Sequence, residues 1–284
     1  MKHFFTFLFF ASCIFCFAQP SFFQTQFQWD EPDFDQEFLL KYHIKSIKIQ
    51  TFRNQEQPKG KVASGAFYEY DANGHLIQMV ETQYDDTSRI HDFLYSDRGV
   101  LRWQKVVDKV WNKTYRSGYR FTRNKTVFQV KSYEMLNNDE KMLLDTRQYV
   151  YSKDSLLTQI LCRENNILTR VHTFTYDDKK RVTKEAFANK NGDLIKEVSY
   201  EYDVKDNITK ITTKDTHKHE YIYTYNPAGH PTKVVWKEDD QDKGTVSYEY
   251  NDKGMLTEMQ RKVFATPKES QGILQVFSYD FYEK

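Results

Sequence analysis

Cysteine is scarce in this chain, net charge is close to zero, and apolar runs are short. Two of the three cysteines, Cys13 and Cys16, fall within the first 18 of 284 residues. If that segment is removed Cys162 remains alone, which excludes an internal disulfide framework. Forty-one basic residues stand against 40 acidic ones, a balance that argues against a phosphate-driven nucleic-acid binder. The one sustained apolar run, Phe4 to Phe17, is too short to cross a bilayer comfortably. A glycine-rich phosphate loop, a cysteine pair, a His-Glu-x-x-His helix and a Gly-x-Ser-x-Gly elbow are all missing. The best-known motif-borne chemistries therefore have no carrier here.

Aromatic residues make up 16% of the chain and charged residues 29%, with a mean hydropathy of -0.78. That composition is not a disordered one, and it supplies ample material for a core. Lys2 and His3, the apolar run, and Cys16-Phe17-Ala18 as a small-x-small site read as a signal peptide over 1–18, cut after Ala18. The alternative is cleavage before Cys13, where Phe10-Ala11-Ser12-Cys13 resembles a bacterial lipobox with Phe in place of the usual Leu. Either route predicts export to the periplasm, the cell surface or the medium. Membrane contact would follow only from lipidation at Cys13.

An aromatic-x-aromatic triplet recurs nine times: Tyr68/Tyr70, Phe93/Tyr95, Tyr119/Phe121, Tyr149/Tyr151, Phe174/Tyr176, Tyr200/Tyr202, Tyr223/Tyr225, Tyr248/Tyr250 and Phe277/Tyr279. With the second aromatic as anchor, the steps are 25, 26, 30, 25, 26, 23, 25 and 29 residues. A period of this length marks a repeat architecture. Several anchors open a polar turn closed by glycine, at Gly74, Gly99, Gly229 and Gly254, where a positive φ is expected. Lys125, Ser155, Lys180 and Asp206 hold the same position in other units, and those turns need not share the geometry. Six residues past the anchor an aliphatic residue stands in seven of eight units, Pro231 being the exception. Proline cannot donate to a ladder, so that unit should begin its second strand with a break, an edge or a bulge.

The two aromatics of a triplet share one face of a strand, and mostly polar residues lie between them. Each unit thus predicts two antiparallel strands joined by a hairpin turn. Together they give an all-β meander of about 17–19 strands, curled into a spiral or partly closed sheet with its aromatic face inside. A cryptic strand around Ile47, Ile49 and Thr51 precedes the first unit. Residues 19–40, with Phe22, Phe23, Phe27, Trp29, Phe34 and Phe38 among Gln and acidic residues, read as an extended arm that covers an edge or opening of the sheet, or as a linker. Residues 41–284 form one β-repeat domain.

The sequences Tyr68-Glu69-Tyr70-Asp71-x-x-Gly74-x-Leu76, Tyr248-Glu249-Tyr250-Asn251-x-x-Gly254-x-Leu256 and Tyr223-Thr224-Tyr225-Asn226-x-x-Gly229 resemble the YD repeat of RHS-repeat proteins. The resemblance spans residues 66 to about 280. It implies an exported, all-β repeat sheet, with toxin encapsulation, adhesion or carbohydrate binding as the family's roles. The autoproteolytic Asp-Pro-x-Gly segment and the effector domain of the large toxins of that family have no counterpart here. MORN-type repeats also set aromatics beside turns, but ten glycines are too few for them.

No catalytic, cofactor or metal residue is nominated. Cys162 reads as a structural thiol despite Arg163. His217 and His219 could begin a metal site but lack a third ligand at fixed spacing. Glu238 to Gly244 is acidic, yet falls where a hairpin is due and lacks the spacing of a calcium loop. Trp103, Trp111 and Trp236 lie outside the triplets and are the candidate partner-binding residues, with buried packing as the alternative. His91, Arg147, His172, Arg89, Arg170 and Lys196 continue the aromatic face and would interrupt the apolar band of a transmembrane barrel. The expected function is that of an exported, non-enzymatic binding or structural module, with an envelope glycan or surface protein as partner. An accessory or immunity factor, an outer-membrane barrel and a glycan-active enzyme are the alternatives.

Overall fold

The computed structural model describes residues 36–53, 62–84, 86–121, 127–136, 140–266 and 269–283. The signal segment and arm residues 19–35 lie outside them. A short helix, α1 (Gln36–Lys41), leads into eighteen strands. These are β1 (Ile44–Arg53), β2 (Ser64–Tyr70), β3 (Leu76–Gln83), β4 (Asp86–Tyr95), β5 (Leu101–Asp108), β6 (Lys113–Phe121), β7 (Val127–Met135), β8 (Lys141–Tyr151) and β9 (Leu157–Glu164). The second half comprises β10 (Ile167–Tyr176), β11 (Val182–Asn189), β12 (Leu194–Tyr202), β13 (Ile208–Lys214), β14 (Lys218–Tyr225), β15 (Pro231–Glu238), β16 (Gln241–Tyr250), β17 (Leu256–Thr266) and β18 (Glu269–Phe281).

Every strand pairs antiparallel with its neighbours in sequence, and β1 pairs with both β2 and β18. The sheet is therefore a closed barrel of 18 strands, not a spiral or a partly closed sheet. The cryptic strand makes the difference. Its residues Ile47 and Ile49 stand opposite Tyr279 and Phe277 on one side and Tyr68 and Ala66 on the other, which leaves no unpaired edge among the described strands to template aggregation.

One local device repeats around the barrel. At each of eight anchors the register shifts, so that the anchor pairs with the residue six positions on across a bulge. Pro231 occupies that position without exception to the pattern: it pairs with Tyr225 at the first residue of β15, after the same bulge. The bulge sets the face of every second strand, turning the residue nine past the anchor inward. It also leaves a carbonyl for the next unit. The anchor hydroxyls of Tyr176, Tyr202, Tyr225, Tyr250 and Tyr279 donate to the carbonyl oxygens of Leu157, Val182, Ile208, Pro231 and Leu256 at 2.6–2.9 Å. Anchor and aliphatic position recur together because they are bonded across units.

The turns follow the anchor. In all seven described anchor turns the residue after the anchor donates its N–H to a carbonyl four residues on and accepts from the N–H three residues on. An Asp, Asn or Ser side chain at that position takes further backbone N–H groups, as Asp71 Oδ1 does from Asn73 and His75. The described turns without glycine keep this geometry, contrary to the latitude expected for them: Ser155, Lys180 and Asp206 have φ of 62°, 64° and 68°, like Gly99 at 68°, while the Lys125 turn lies outside the described residues. A side chain in that region costs about 1–2 kcal/mol, and part of it is returned by lower chain entropy when unfolded. Lys180→Gly is therefore expected to raise stability by about 0.5 kcal/mol in urea titration; a loss of stability would contradict the shared geometry.

The aromatic triplets line the inner wall as expected, and the largest core cluster gathers at the closing seam. Ile44, Ile47, Ile49, Tyr68, Tyr70, Val246, Met259 and Phe277 pack there with Leu39 of α1. The last residues of the arm are thus helical, not extended. Gln36 Nε2 donates to Asn73 O, Tyr42 OH to Lys253 O, and Tyr282 OH to Tyr70 O, tying the first and last anchor turns together across the seam.

Candidate functional site in the barrel interior

Away from the anchor turns the inner wall becomes polar. The six interrupting residues named from sequence, Arg89, His91, Arg147, Arg170, His172 and Lys196, all lie on it, because cross-strand pairs keep them in the face of the aromatic triplets. Arg89, His91 and His172 find partners on second strands, Asp108, Glu81 and Glu185, while Arg147 bonds Asp145 on its own strand.

Two constellations stand out. His91 faces Glu81 with Nε2 to Oε1 at 3.0 Å, and the Tyr119 hydroxyl donates to Gln104 Oε1 at 3.1 Å, while Gln104 Nε2 approaches His91 Nδ1 at 3.5 Å. Arg89 donates to Asp108 at 2.9 Å beside them. Three units on, His172 Nε2 meets Glu185 Oε2 at 2.8 Å and Tyr200 OH donates to Glu185 Oε1 at 2.7 Å. The two sets occupy equivalent places. Each histidine lies four before its anchor, each hub nine after it, and each tyrosine two before the next anchor. At the hub position the other described units carry Met79, Val130, Ile160, Ile211, Val234 and Met259; Gln104 and Glu185 are the polar ones.

The electrostatics follow from burial. Burial works to raise the Glu81 carboxyl, but the His91 hydrogen bond and the nearby imidazole and Arg89 charges outweigh it and hold the group below the usual carboxylate range. Burial first, and then Glu185, push the Tyr200 hydroxyl far up, so it stays a donor. Lys196, opposite Phe187, has its pKa lowered by burial against the opposing pull of Asp215 and Glu185. The His172 ring is stacked on Phe187 at 3.9 Å between ring centres. Such a set can hold a proton or present fixed donors and acceptors to a polar ligand.

No family model matches the chain, and no curated protein matches it. The YD-repeat resemblance therefore stands on the motif and its period. Among solved structures, the chain is similar to a porin-like protein from Bacteroides uniformis (12% identity, 84% of this chain and 98% of that one, TM-score 0.45). It is also similar to a porin-like protein from Bacteroides vulgatus (12% identity, 84% and 99%, TM-score 0.37). A third similarity is to TcdB2-TccC3-TEV (14% identity, TM-score 0.40), with 82% of this chain covering 14% of that one.

The three tryptophans do not converge. Trp236 is buried on the inner wall directly opposite Gly244, and Trp103 lies on the outer wall directly opposite Gly118 with the Arg116 guanidinium 4.1 Å over its ring. Both indoles cover a strand that lacks a side chain. Trp111 alone is widely exposed, in the turn between β5 and β6. His217 lies in the turn before β14, bonded to Asp239 at 2.9 Å, and Asp239-Asp240 form the two-residue tip between β15 and β16. Among the described residues no group of three His, Cys, Asp or Glu side chains is arranged to hold a metal ion. Cys162 is half-buried on the inner wall, paired with Arg147 and Arg170.

Sequence reasoning found the histidines and missed the hubs. Counting alternate residues from the aliphatic position puts Gln104 and Glu185 on the wrong face. The repeated bulge shifts that count by one, and the signal was present in the apolar residues that fill the same position elsewhere.

Proposed function

We propose that this chain is an exported, non-enzymatic repeat barrel that serves as a binding or structural module of the cell envelope. The observation that carries this reading is the chemistry of the two walls. The outer wall of β11–β17 bears Lys184, Glu197, Lys210, Lys233 and Lys262 within the strands, alternating with the inward residues. A lipid-spanning barrel needs an apolar band around its whole girth, and a charge at mid-depth costs about 2–4 kcal/mol. Outward apolar residues do form cross-strand rows, Phe67, Val80, Ile90 and Val107 over β2–β5 and Leu161, Val171 and Ala188 over β9–β11, but charged residues part them, Lys48 standing opposite Phe67 and Lys210 opposite Ile222. The barrel is thus built to meet water outside and to keep its aromatic rings inside.

Closed edges support a stable exported scaffold. His91 and His172 are engaged by carboxylates, which suits a positioning role better than turnover. The test is solubility. The chain lacking residues 1–18 should remain monodisperse in gel filtration without detergent and keep a β-rich circular dichroism spectrum. A requirement for detergent at every step would overturn this reading in favour of a membrane-spanning barrel.

A further inference from the structure

Two turns at opposite ends of the barrel share one geometry and one dipeptide. At the anchor end, Asp71-Ala72-Asn73-Gly74-His75 joins β2 to β3; at the other end, Asn189-Lys190-Asn191-Gly192-Asp193 joins β11 to β12. In each, the first residue donates its N–H to the carbonyl four residues on and accepts from the glycine N–H, at 2.9 and 2.9 Å in the first turn and 2.9 and 3.1 Å in the second. Its side-chain oxygen also takes the N–H groups two and four residues on, in both turns. Both glycines have positive φ, 72° and 90°. These are the two Asn-Gly pairs of the chain.

What differs is the cover. Over the first turn lies α1: Gln36 Nε2 donates to Asn73 O at 2.7 Å, and a Cβ on Gly74 would meet Gln36 at 3.1 Å and Leu40 at 3.4 Å. Gly74 is buried. Around Gly192 nothing lies within 4 Å of where a Cβ would stand, and Asn191 and Gly192 are both exposed. Among the described residues no hydrogen bond holds Asn191 O as Gln36 holds Asn73 O.

That peptide group decides the chemistry open to asparagine before glycine, one of the heat-labile residues of proteins. The glycine nitrogen attacks the asparagine Cγ and forms a C–N bond; its proton leaves with the side-chain amide as ammonia, and the closed ring is a succinimide. Water then opens the ring at either carbonyl, giving aspartate or its β-linked isomer. The attack requires the Asn–Gly peptide plane to rotate, which a glycine without Cβ obstructs least. We propose that Asn191 is a site of spontaneous deamidation in the folded protein, and that α1 protects Asn73 from the same reaction. The Gln36 hydrogen bond and the packing of Gln36 and Leu40 pin the Asn73–Gly74 peptide, so that turn reacts only after α1 lifts away. The Asn191–Gly192 peptide has only the turn's own bonds to break. The product sets a new carboxylate beside Asp193 and, in the β-linked form, an extra main-chain methylene in the hairpin between β11 and β12. The modification needs no partner and so stands apart from the binding role proposed above.

The test follows both asparagines in one sample. The chain lacking residues 1–18 is held at mildly alkaline pH, in native buffer and in urea, and peptide mapping by mass spectrometry measures aspartate and isoaspartate at positions 73 and 191. In native buffer Asn191 should convert about tenfold faster than Asn73, or more, the factor that about 1.4 kcal/mol of added opening cost gives. In urea the two rates should converge. The double variant Gln36→Ala, Leu40→Ala strips the cover, so it should raise the Asn73 rate in native buffer and leave the Asn191 rate unchanged. Equal native rates, or Asn73 ahead, overturn the proposal. A difference that survives in urea overturns it as well, since flanking residues and not α1 would then set the rates. So does a double variant, still β-rich by circular dichroism, in which Asn73 stays slow.

Discussion

Gly244→Val is expected to destabilise the barrel by about 3 kcal/mol, read as a lower urea midpoint at unchanged slope. Gly244 lies on the inner wall of β16 directly opposite Trp236 of β15 and Val263 of β17. A Cβ there would overlap both the indole nitrogen of Trp236 and the backbone carbonyl oxygen of Lys262. The indole could turn away only by giving up its buried place, and the carbonyl belongs to a strand fixed by pairing on both sides. Gly118→Ala supplies the comparison. Its Cβ would first meet the Trp103 ring, at 2.6 Å, on an outer wall where the ring can move, so a loss of about 1 kcal/mol or less is expected. Equal losses at the two positions would show that the backbone obstruction at Gly244 does not matter.

These two glycines also account for where Trp103 and Trp236 pack. In the sequence Trp103 and Trp236 stand out because they fall outside the triplets, which is what a partner-binding residue would do as well. The pairing that accounts for them, Trp103 with Gly118 and Trp236 with Gly244, depends on register, and register depends on the bulge. Local patterning was readable: the period gave the strands, alternation gave the inner aromatic face, and Asp71 or Asn251 gave the turns. Closure was not, because β1 meets β18 more than 200 residues away, and nothing in a strand's own residues names a partner at that distance. The φ of Lys180 was equally hidden. Local propensity favours relaxing it, but the anchor pairing on one side and the bulge on the other impose the turn.

Glu185→Ala is expected to cost about 2 kcal/mol, because it strips a half-buried acceptor from two donors at once. Tyr200 OH and the His172 imidazole both bond to that carboxylate, at 2.7 and 2.8 Å. Glu185→Gln should recover part of the loss by keeping an acceptor for Tyr200. The repeat supplies a sharper comparison. In the following unit the equivalents of His172 and Glu185 are Val198 and Ile211, both buried, and phenylalanine already stands at the place of Tyr200 in Phe93, Phe174 and Phe277. The combined change His172→Val, Glu185→Ile, Tyr200→Phe therefore installs a packing the barrel already uses. Exchanging a satisfied polar cluster for a well-packed apolar one is often neutral or stabilising, so the triple variant should melt near the parent while Glu185→Ala does not. That outcome would mean the barrel can do without the cluster, and that its polar groups serve whatever enters the interior. A triple variant as unstable as Glu185→Ala would mean that the cluster holds the wall together and nothing more.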